Sequence, residues 1–251
     1  MTTIPLAIVL AIIAPFIGSF LSVLVVRLPR GENVVWGRSH CRSCDHTLGA
    51  SELVPLVSWL VQAGKCRSCN APVSALYPVM EMAALGVAIW AGWTVPEGAL
   101  LMTVLLGWTL LALAVMDARD LFLSDWLTLP LIPAGLAVCW LLDAESIFEH
   151  FVAAALGYVA LVSLAWLYRR VRGRDGLGLG DAKFLAGAGA WTGLGGLGSV
   201  LLIGVCVNVV FALAANYRGR QVEAETPLPL GTGIATGLWL TWLYGPILFT
   251  G

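Results

Sequence analysis

The stretch ALLMTVLLGWTLLALAVM, residues 99–116, is followed directly by Asp117. It contains no charged side chain, and its length approaches the roughly 20 apolar residues that a helix needs to cross a bilayer. Its composition therefore predicts a membrane-spanning helix. The aspartate at its end is equally informative, because an ionisable side chain at a membrane span is costly and indicates a functional site.

The composition of the whole chain extends this conclusion. Its 251 residues are 59% hydrophobic and only 12% charged, so polar side chains are too few to cover a soluble globule of this size. A net charge of -1 argues against a polybasic nucleic-acid binder. The sequence therefore predicts an all-α polytopic membrane protein. Eight spans are expected near residues 4–26, 76–93, 99–116, 126–142, 150–168, 182–195, 197–216 and 231–249.

The distribution of charge predicts how these spans are oriented. With eight spans and a tight turn at 192–196, all 14 Lys and Arg residues fall in one set of loops. The opposite loops hold only acids, namely Glu97, Asp143, Glu145 and Glu149. Cytoplasmic loops of membrane proteins are enriched in Lys and Arg. We therefore expect both termini outside the cytoplasm and the basic loops inside it.

Four cysteines in the predicted cytoplasmic loop 27–75 form two CxxC motifs. They are Cys41, Cys44, Cys66 and Cys69. Two such motifs can surround one tetrahedral Zn²⁺, and four protein ligands make the site structural rather than catalytic. Disulfides or free thiols are the alternative, although disulfides are rare in the cytoplasm. We interpret the flanking His40 and His46 as solvated loop residues rather than substitute ligands.

Two aspartates are the candidate catalytic groups. Asp117 ends one predicted span and Asp181 begins another from the same face, so the two carboxylates can meet. Two close carboxylates in a partly dry site do not ionise together easily, which leaves one as an acid and one as a base that activates water. Gly178 and Gly180 leave room for an extended substrate backbone, with Lys183 beside them.

A purely structural interpretation of the same residues stays open. Asp181 could cap the helix that it begins, and Asp117 could be an interfacial charge paired with Arg119 or Lys183. Asp120 lies one helical turn from Asp117 and is a rival catalytic group. We interpret Asp125 as a helix N-cap and Glu81 as an acid that snorkels to the cytoplasmic face.

Taken together, these motifs resemble the type IV prepilin peptidases, which are bifunctional leader peptidases and N-methyltransferases. The resemblance rests on motifs that follow one another in the family's order. In the first third of the chain these are Gly18-Ser19-Phe20-Leu21-Ser22-Val23 with Arg27-Leu28-Pro29, Ser58-Trp59-Leu60, Gly64-Lys65-Cys66-Arg67, and Tyr77-Pro78 with Glu81. The two aspartate motifs follow, Asp117 with Asp125 and then Gly178-Leu179-Gly180-Asp181-Ala182-Lys183. It departs from the family pattern at Arg42 and Ser22, and the late Pro-Phe-Gly-Pro motif reads Pro229-Leu230-Gly231-Thr232.

The resemblance implies an intramembrane aspartyl peptidase of the bacterial inner membrane. It makes Asp117 and Asp181 the catalytic pair, demotes Asp120, and assigns Gly64 and Lys65 to methyl transfer. Its substrates are type IV prepilins or type II secretion pseudopilins, cleaved after a short basic leader at the cytoplasmic face. S-adenosylmethionine is the implied methyl donor, and membrane lipid is expected to surround the helices.

We expect two functional parts, a methyltransferase part at 1–93 that contains the zinc loop and a six-span peptidase part at 94–251. A peptidase without methyl transfer is the first alternative. A presenilin-type Gly-x-Gly-Asp protease would leave the four cysteines unexplained. A transporter or assembly scaffold with a zinc-braced loop would place its charges nearer the bilayer midplane.

Overall fold

The computed structural model describes residues 5–34, 36–173, 178–217 and 228–247, and within them the regular structure is helical. The α-helices are α1 (Leu6–Arg27), α2 (Val57–Val61), α3 (Leu76–Thr94), α4 (Glu97–Asp120), α5 (Asp125–Leu142), α6 (Ile147–Arg172), α7 (Leu179–Tyr217) and α8 (Leu230–Tyr244). The predicted all-α fold is thereby confirmed. The predicted span ends at 4 and 248–249 lie outside the described residues, as do three of the 14 basic residues, Arg174, Arg218 and Arg220.

Six helical segments in the described part of the chain are long and apolar enough to cross a membrane. They are Leu6–Arg30, Leu76–Thr94, Glu97–Asp120, Asp125–Leu142, Ala144–Arg172 and Leu179–Tyr217. The last is interrupted at Gly193, whose φ of 66° and ψ of -173° are not helical. Helix α8 has 15 residues, fewer than a perpendicular crossing needs. The count of eight spans therefore stays a prediction.

The chain reverses direction at the interruption in α7. Before it, Gly180 lies near Leu123, which also contacts Gly231 at the start of α8. Further along, the ring centroid of Trp191 lies 5.2 Å from that of Trp242 near the end of α8. After it, the order inverts, since Gly196 faces Thr241 and Gly204 faces Gly233. Residues 179–192 and 194–217 are therefore antiparallel. The predicted turn at 192–196 lies at this point.

The helices form two compact units, unit 1 (residues 1–112) and unit 2 (residues 113–251). In unit 1, α1 packs along α3, and the indole of Trp108 donates a hydrogen bond to the Ala84 carbonyl at 3.0 Å. In unit 2, α7 packs against α5, α6 and α8. The sequence-based division at 93/94 stays a prediction of functional parts.

Small residues bring the helices of unit 1 close together. Gly18 of α1 is buried, and a Cβ added there would lie 2.6 Å from both the Glu81 Cα and the Met80 carbonyl oxygen. No real Cβ tolerates that distance to a backbone atom, so α1 and α3 contact each other at this point only because residue 18 is glycine. Such close approach through small residues is typical of membrane helices.

We expect Gly18→Ala to lower the stability of unit 1, because the added methyl group must push α1 away from α3. The cost of overpacking is about 1–3 kcal/mol. The apparent melting temperature in detergent measures it. Gly86→Ala is the matched control, since a Cβ at this glycine of α3 meets nothing within 4 Å. Equal melting temperatures for the two variants would contradict the close contact.

Candidate active site and metal centre

Asp117 lies in the last turn of α4 and is only 5% exposed. Its Oδ2 accepts a hydrogen bond from the backbone N–H of Thr232 at 2.6 Å, and the Thr232 hydroxyl lies 3.2 Å from the same oxygen. That hydroxyl also donates to the Ala114 carbonyl at 3.0 Å. A buried carboxylate is stable only when donors of this kind replace its hydration. The start of α8 therefore fixes Asp117.

Thr232 is a site residue that sequence reasoning missed. The residue stands in the late motif 229–232, at a place where the family pattern has proline. Proline has neither an N–H nor a hydroxyl, so it could make neither contact with Asp117. The close fit depends on the neighbouring glycine as well, because a Cβ at Gly231 would lie 3.0 Å from the Asp117 Cγ.

Asp181 lies in the first turn of α7, and the fold brings it toward Asp117. Leu123 contacts both Gly180 and Gly231, the latter next to the Asp117 carboxylate. The two aspartates are close enough for their charges to interact. The sequence-predicted pair therefore shares one region of unit 2. Gly178 lies next to the Asp181 carboxylate, since a Cβ at Gly178 would be 3.4 Å from Asp181 Oδ2.

Lys183 contacts a different acid from the one that the structural interpretation offered. Its Nζ donates to Asp125 Oδ1 at 2.7 Å and to Oδ2 at 2.8 Å, so it is paired with Asp125 and not with Asp117. The N-cap prediction for Asp125 is wrong. Helix α5 begins at Asp125 after Ser124, and the Asp125 carboxylate instead joins α5 to α7. Asp120 is exposed, unlike Asp117.

The four loop cysteines form one cluster in unit 1. All four sulfurs lie within 4.8 Å of one another, with 3.8 Å between Cys41 and Cys69 and 4.0 Å between Cys44 and Cys66. Disulfide sulfurs are about 2.05 Å apart, so these distances exclude a bond within either pair. All four cysteines are free, so the disulfide alternative is wrong for this structure. The arrangement could hold one metal ion.

The two CxxC turns have the same backbone geometry. The N–H of Asp45 donates to the Cys41 carbonyl, and the N–H of Asn70 donates to the Cys66 carbonyl, both at 2.9 Å. Asp45 and Asn70 have positive φ values of 53° and 56°. Asp and Asn tolerate this left-handed conformation better than other side chains except glycine. The sequence thus builds two equivalent knuckles that face each other.

The two thiols of the first knuckle, Cys41 and Cys44, have pKa values shifted in opposite directions. The N–H groups of Ser43 and Cys44 hold the pKa of the Cys41 thiol at about 6. For Cys44, the N–H of His46 lowers the pKa, but the sulfur of Cys69, desolvation and the other thiols raise it to about 12. A bound cation would lower both pKa values, because metal coordination deprotonates a thiol.

The two flanking histidines lie outside the cluster, as predicted. His40 and His46 are exposed, and neither belongs to the group of candidate metal ligands. His46 Nε2 lies 3.4 Å from Glu52 Oε2. The Gly49 N–H, together with His46, lowers the pKa of the Glu52 carboxyl. Glu52 is therefore the partner of His46 in the loop.

The snorkelling prediction for Glu81 is wrong. The side chain is buried, and its Oε2 accepts a hydrogen bond from the Leu56 N–H at 2.7 Å. The methyl-transfer candidates lie in the same unit. Gly64 is buried with a φ of 67°, and the exposed Lys65 precedes the buried Cys66. Both directly precede the second knuckle in the chain.

Comparison with known proteins covers both units. The model of the bacterial peptidase A24 N-terminal domain matches residues 12–95, and that of the type IV leader peptidase family matches residues 104–213. Relatives named prepilin leader peptidase/N-methyltransferase occur in Aeromonas hydrophila, Burkholderia pseudomallei (strain 1026b) and Stutzerimonas stutzeri. The identities are 36%, 39% and 34%, over 91%, 87% and 96% of this chain and 87%, 71% and 92% of the relatives. No solved structure matches the chain.

We expect the purified protein to carry about one metal ion per chain, because one cluster of four thiolates binds one ion. Elemental analysis by mass spectrometry measures the content. Cys66→Ser should lose most of the metal, since it removes one of four ligands. Cys206→Ser is the matched control and should retain it, because Cys206 lies outside the cluster. Equal metal content in both variants would contradict the assignment of the cluster as the metal site.

Proposed function

The chain belongs to the type IV leader peptidase family, and we propose that it cleaves prepilins through Asp117 and Asp181 and methylates the new N-terminus. The substrates are type IV prepilins or type II secretion pseudopilins. The observation that carries the proposal is the convergence of two aspartates at the ends of membrane helices, within the segment that the family model matches. The six apolar helices fit a multi-pass inner-membrane protein.

The paired carboxylates supply an acid and a base for peptide hydrolysis. The ionised one removes a proton from water as the water oxygen attacks the scissile carbonyl carbon, and the protonated one donates to the carbonyl oxygen. Collapse of the tetrahedral intermediate then breaks the C–N bond. The leaving amine takes the proton that the base removed from water, and a hydroxyl of the intermediate returns its proton to the other carboxylate. No covalent bond to the enzyme is needed.

Thr232 is a positioning residue in this mechanism. Its N–H and hydroxyl both contact Oδ2 of Asp117, and the two contacts fix the position of the carboxylate. The hydroxyl can donate to an ionised Asp117, or accept from a protonated one while it donates to the Ala114 carbonyl. Thr232 thus holds Asp117 in both protonation states of the cycle.

Zinc is the metal that the cysteine cluster fits best. Four sulfurs at about 2.3 Å from a tetrahedral Zn²⁺ are about 3.8 Å apart. The sulfur separations between the two knuckles are close to this value, at 3.8 Å for Cys41 and Cys69 and 4.0 Å for Cys44 and Cys66. Cys41, Cys44, Cys66 and Cys69 would hold the ion and leave no open position. Its contribution is the folding of loop 27–75 rather than chemistry.

The orientation follows from charge. Arg27, Lys65, Arg119 and Lys183 lie among the basic residues that the positive-inside rule assigns to the cytoplasm. The zinc loop and the aspartates are therefore at the cytoplasmic face, where the leader is cleaved, and both termini are periplasmic.

Methyl transfer is the second activity, and we assign it to unit 1. The relatives are named for both activities, and the N-terminal family model covers the knuckles and Glu81. Gly64 and Lys65 are the candidate residues, with S-adenosylmethionine as methyl donor. A transporter or scaffold is not favoured, because both family models that match the chain describe peptidases.

We expect Asp117→Asn and Asp181→Asn each to reduce prepilin cleavage by at least about a hundredfold, because each removes an acid–base group. The rate is measured as the removal of the leader from a prepilin by membranes that contain the protein. Asp120→Asn is the control, since this acid is exposed. It should retain the wild-type rate, and activity surviving in both test variants would exclude the two-aspartate mechanism.

We expect Thr232→Val to lower kcat for cleavage about tenfold, because a hydrogen bond to a charged group is worth about 1.5–3 kcal/mol. Thr232→Ser keeps the hydroxyl and should restore most of the rate. Thr236→Val is the matched control one turn further along α8, where the hydroxyl donates to the Thr232 carbonyl at 2.9 Å. Equal losses in the valine and serine variants would indicate packing rather than positioning.

A further inference from the structure

Glu81 is a buried carboxylate that the proposed hydrolysis does not use. It is 5% exposed in α3, its Oε2 accepts the Leu56 N–H at 2.7 Å, and the Ser19 side chain of α1 also hydrogen-bonds to it. A buried carboxylate costs free energy even when it is hydrogen-bonded, so its presence at a membrane span indicates a function.

The backbone segment that contacts Glu81 is strained. Leu56 has φ 61° and ψ -51°, and the Val57 N–H donates to the Pro55 carbonyl at 2.6 Å, which is the hydrogen bond of the rare form of γ-turn. Strain of this kind persists only where the surroundings hold it, and it concentrates at ligand sites. Glu81 holds the N–H of Leu56 itself, so the carboxylate and the strained turn belong to one structure.

Glu81 also lines a cavity of about 1030 Å³ in unit 1. The walls come from α1, α3 and the cysteine loop, and they include Ser19, Trp59, Lys65 and Tyr77. Sites for small organic ligands occupy roughly 300–1,000 Å³. The cavity therefore has room for a nucleoside-sized ligand together with the end of a peptide.

Gly64 places an aromatic face in the cavity wall. A Cβ at Gly64 would lie 2.8 Å from Trp59 Cζ2, so the glycine allows the indole to lie against the backbone. The Trp59 Nε1 donates to the Val73 carbonyl at 3.3 Å, which fixes the ring. Gly64 thus acts through Trp59. Carboxylates and indole faces both attract organic cations, and indoles also stack on purine rings.

We propose that this cavity is the methyl-transfer site, in which Glu81 faces an organic cation and Trp59 an aromatic or cationic group. The inference rests on the proposed methyltransferase function. Two cations meet in that reaction, the sulfonium of S-adenosylmethionine and the terminal ammonium of the cleaved pilin. Glu81 would bind one of them and orient it toward the other.

The reaction balances without any further reactant. S-adenosylmethionine supplies a methyl group on sulfur, which the amine lone pair attacks so that an N–C bond forms while the S–C bond breaks and its electron pair stays on sulfur. The ammonium first releases its proton to water. Glu81 changes neither its bonds nor its redox state, and it serves to bind and orient.

Binding measurements on the full-length protein in detergent test the assignment. Titration calorimetry compares S-adenosylmethionine, the neutral S-adenosylhomocysteine, and a pilin-like peptide with a free N-terminal Phe. We expect Glu81→Gln to weaken at least one cationic ligand by about tenfold or more and S-adenosylhomocysteine by less than about twofold. Glu97→Gln, at an exposed carboxylate of the same unit, should change none of the three.

The pattern of losses identifies the cation. Weakened binding of S-adenosylmethionine alone assigns Glu81 to the sulfonium, and weakened binding of the peptide alone assigns it to the ammonium. Unchanged affinity for both cations in Glu81→Gln, while the wild-type enzyme still methylates pilin, overturns the cavity assignment alone. A wild-type enzyme that binds no donor and leaves mature pilin unmethylated overturns the methyltransferase proposal and the cavity with it.

A second measurement covers the case in which Glu81→Gln does not fold, which its metal content and elution volume would reveal. Wild-type protein is photolabelled with an azido-adenine derivative of S-adenosylmethionine and digested. Label within 56–65 or 77–81 supports the site, because these segments carry Trp59 and Glu81. Label confined to other segments overturns it.

Discussion

A carboxylate at the end of an apolar helix must find hydrogen-bond donors inside the protein, and this requirement organises both units. Asp117 takes the N–H of Thr232 from the start of α8, and Glu81 takes the N–H of Leu56 from the cysteine loop. In each case the donor comes from a segment that is distant in sequence. The acid therefore fixes its own side chain and also the element that supplies the donor.

Close helix packing makes these contacts possible. Gly18 lets α1 approach the backbone of α3 beside Glu81, and Gly231 lets α8 approach the side chain of Asp117. Within a bilayer, apolar side chains gain little by leaving lipid, so helices associate through close packing and internal hydrogen bonds. The glycines are thus as much a part of the two sites as the acids.

The two units both contain a buried, hydrogen-bonded carboxylate, but we propose different chemistry for each. Unit 2 brings together the two carboxylates to which we assign acid–base chemistry on a peptide bond. Unit 1 holds Glu81 and Trp59 in the wall of one cavity, where the proposed role of Glu81 is to bind a cation rather than to activate water. The four clustered cysteines lie in the same predicted loop, 27–75, as Trp59 and Leu56, and Cys41 and Cys66 line that cavity.

The sequence by itself determined the helical membrane fold and the four-cysteine cluster, because each depends on local composition or on motif spacing. Its charge pattern also predicts that Asp117 and Asp181 lie at the same face of the membrane. It did not determine the partners of individual polar groups. Lys183 contacts Asp125, Glu81 is buried, and Thr232 holds Asp117 only because elements far apart in the chain pack together. Hydropathy fixes which segments enter the membrane, whereas the packing of helix against helix decides which donor each buried acid meets.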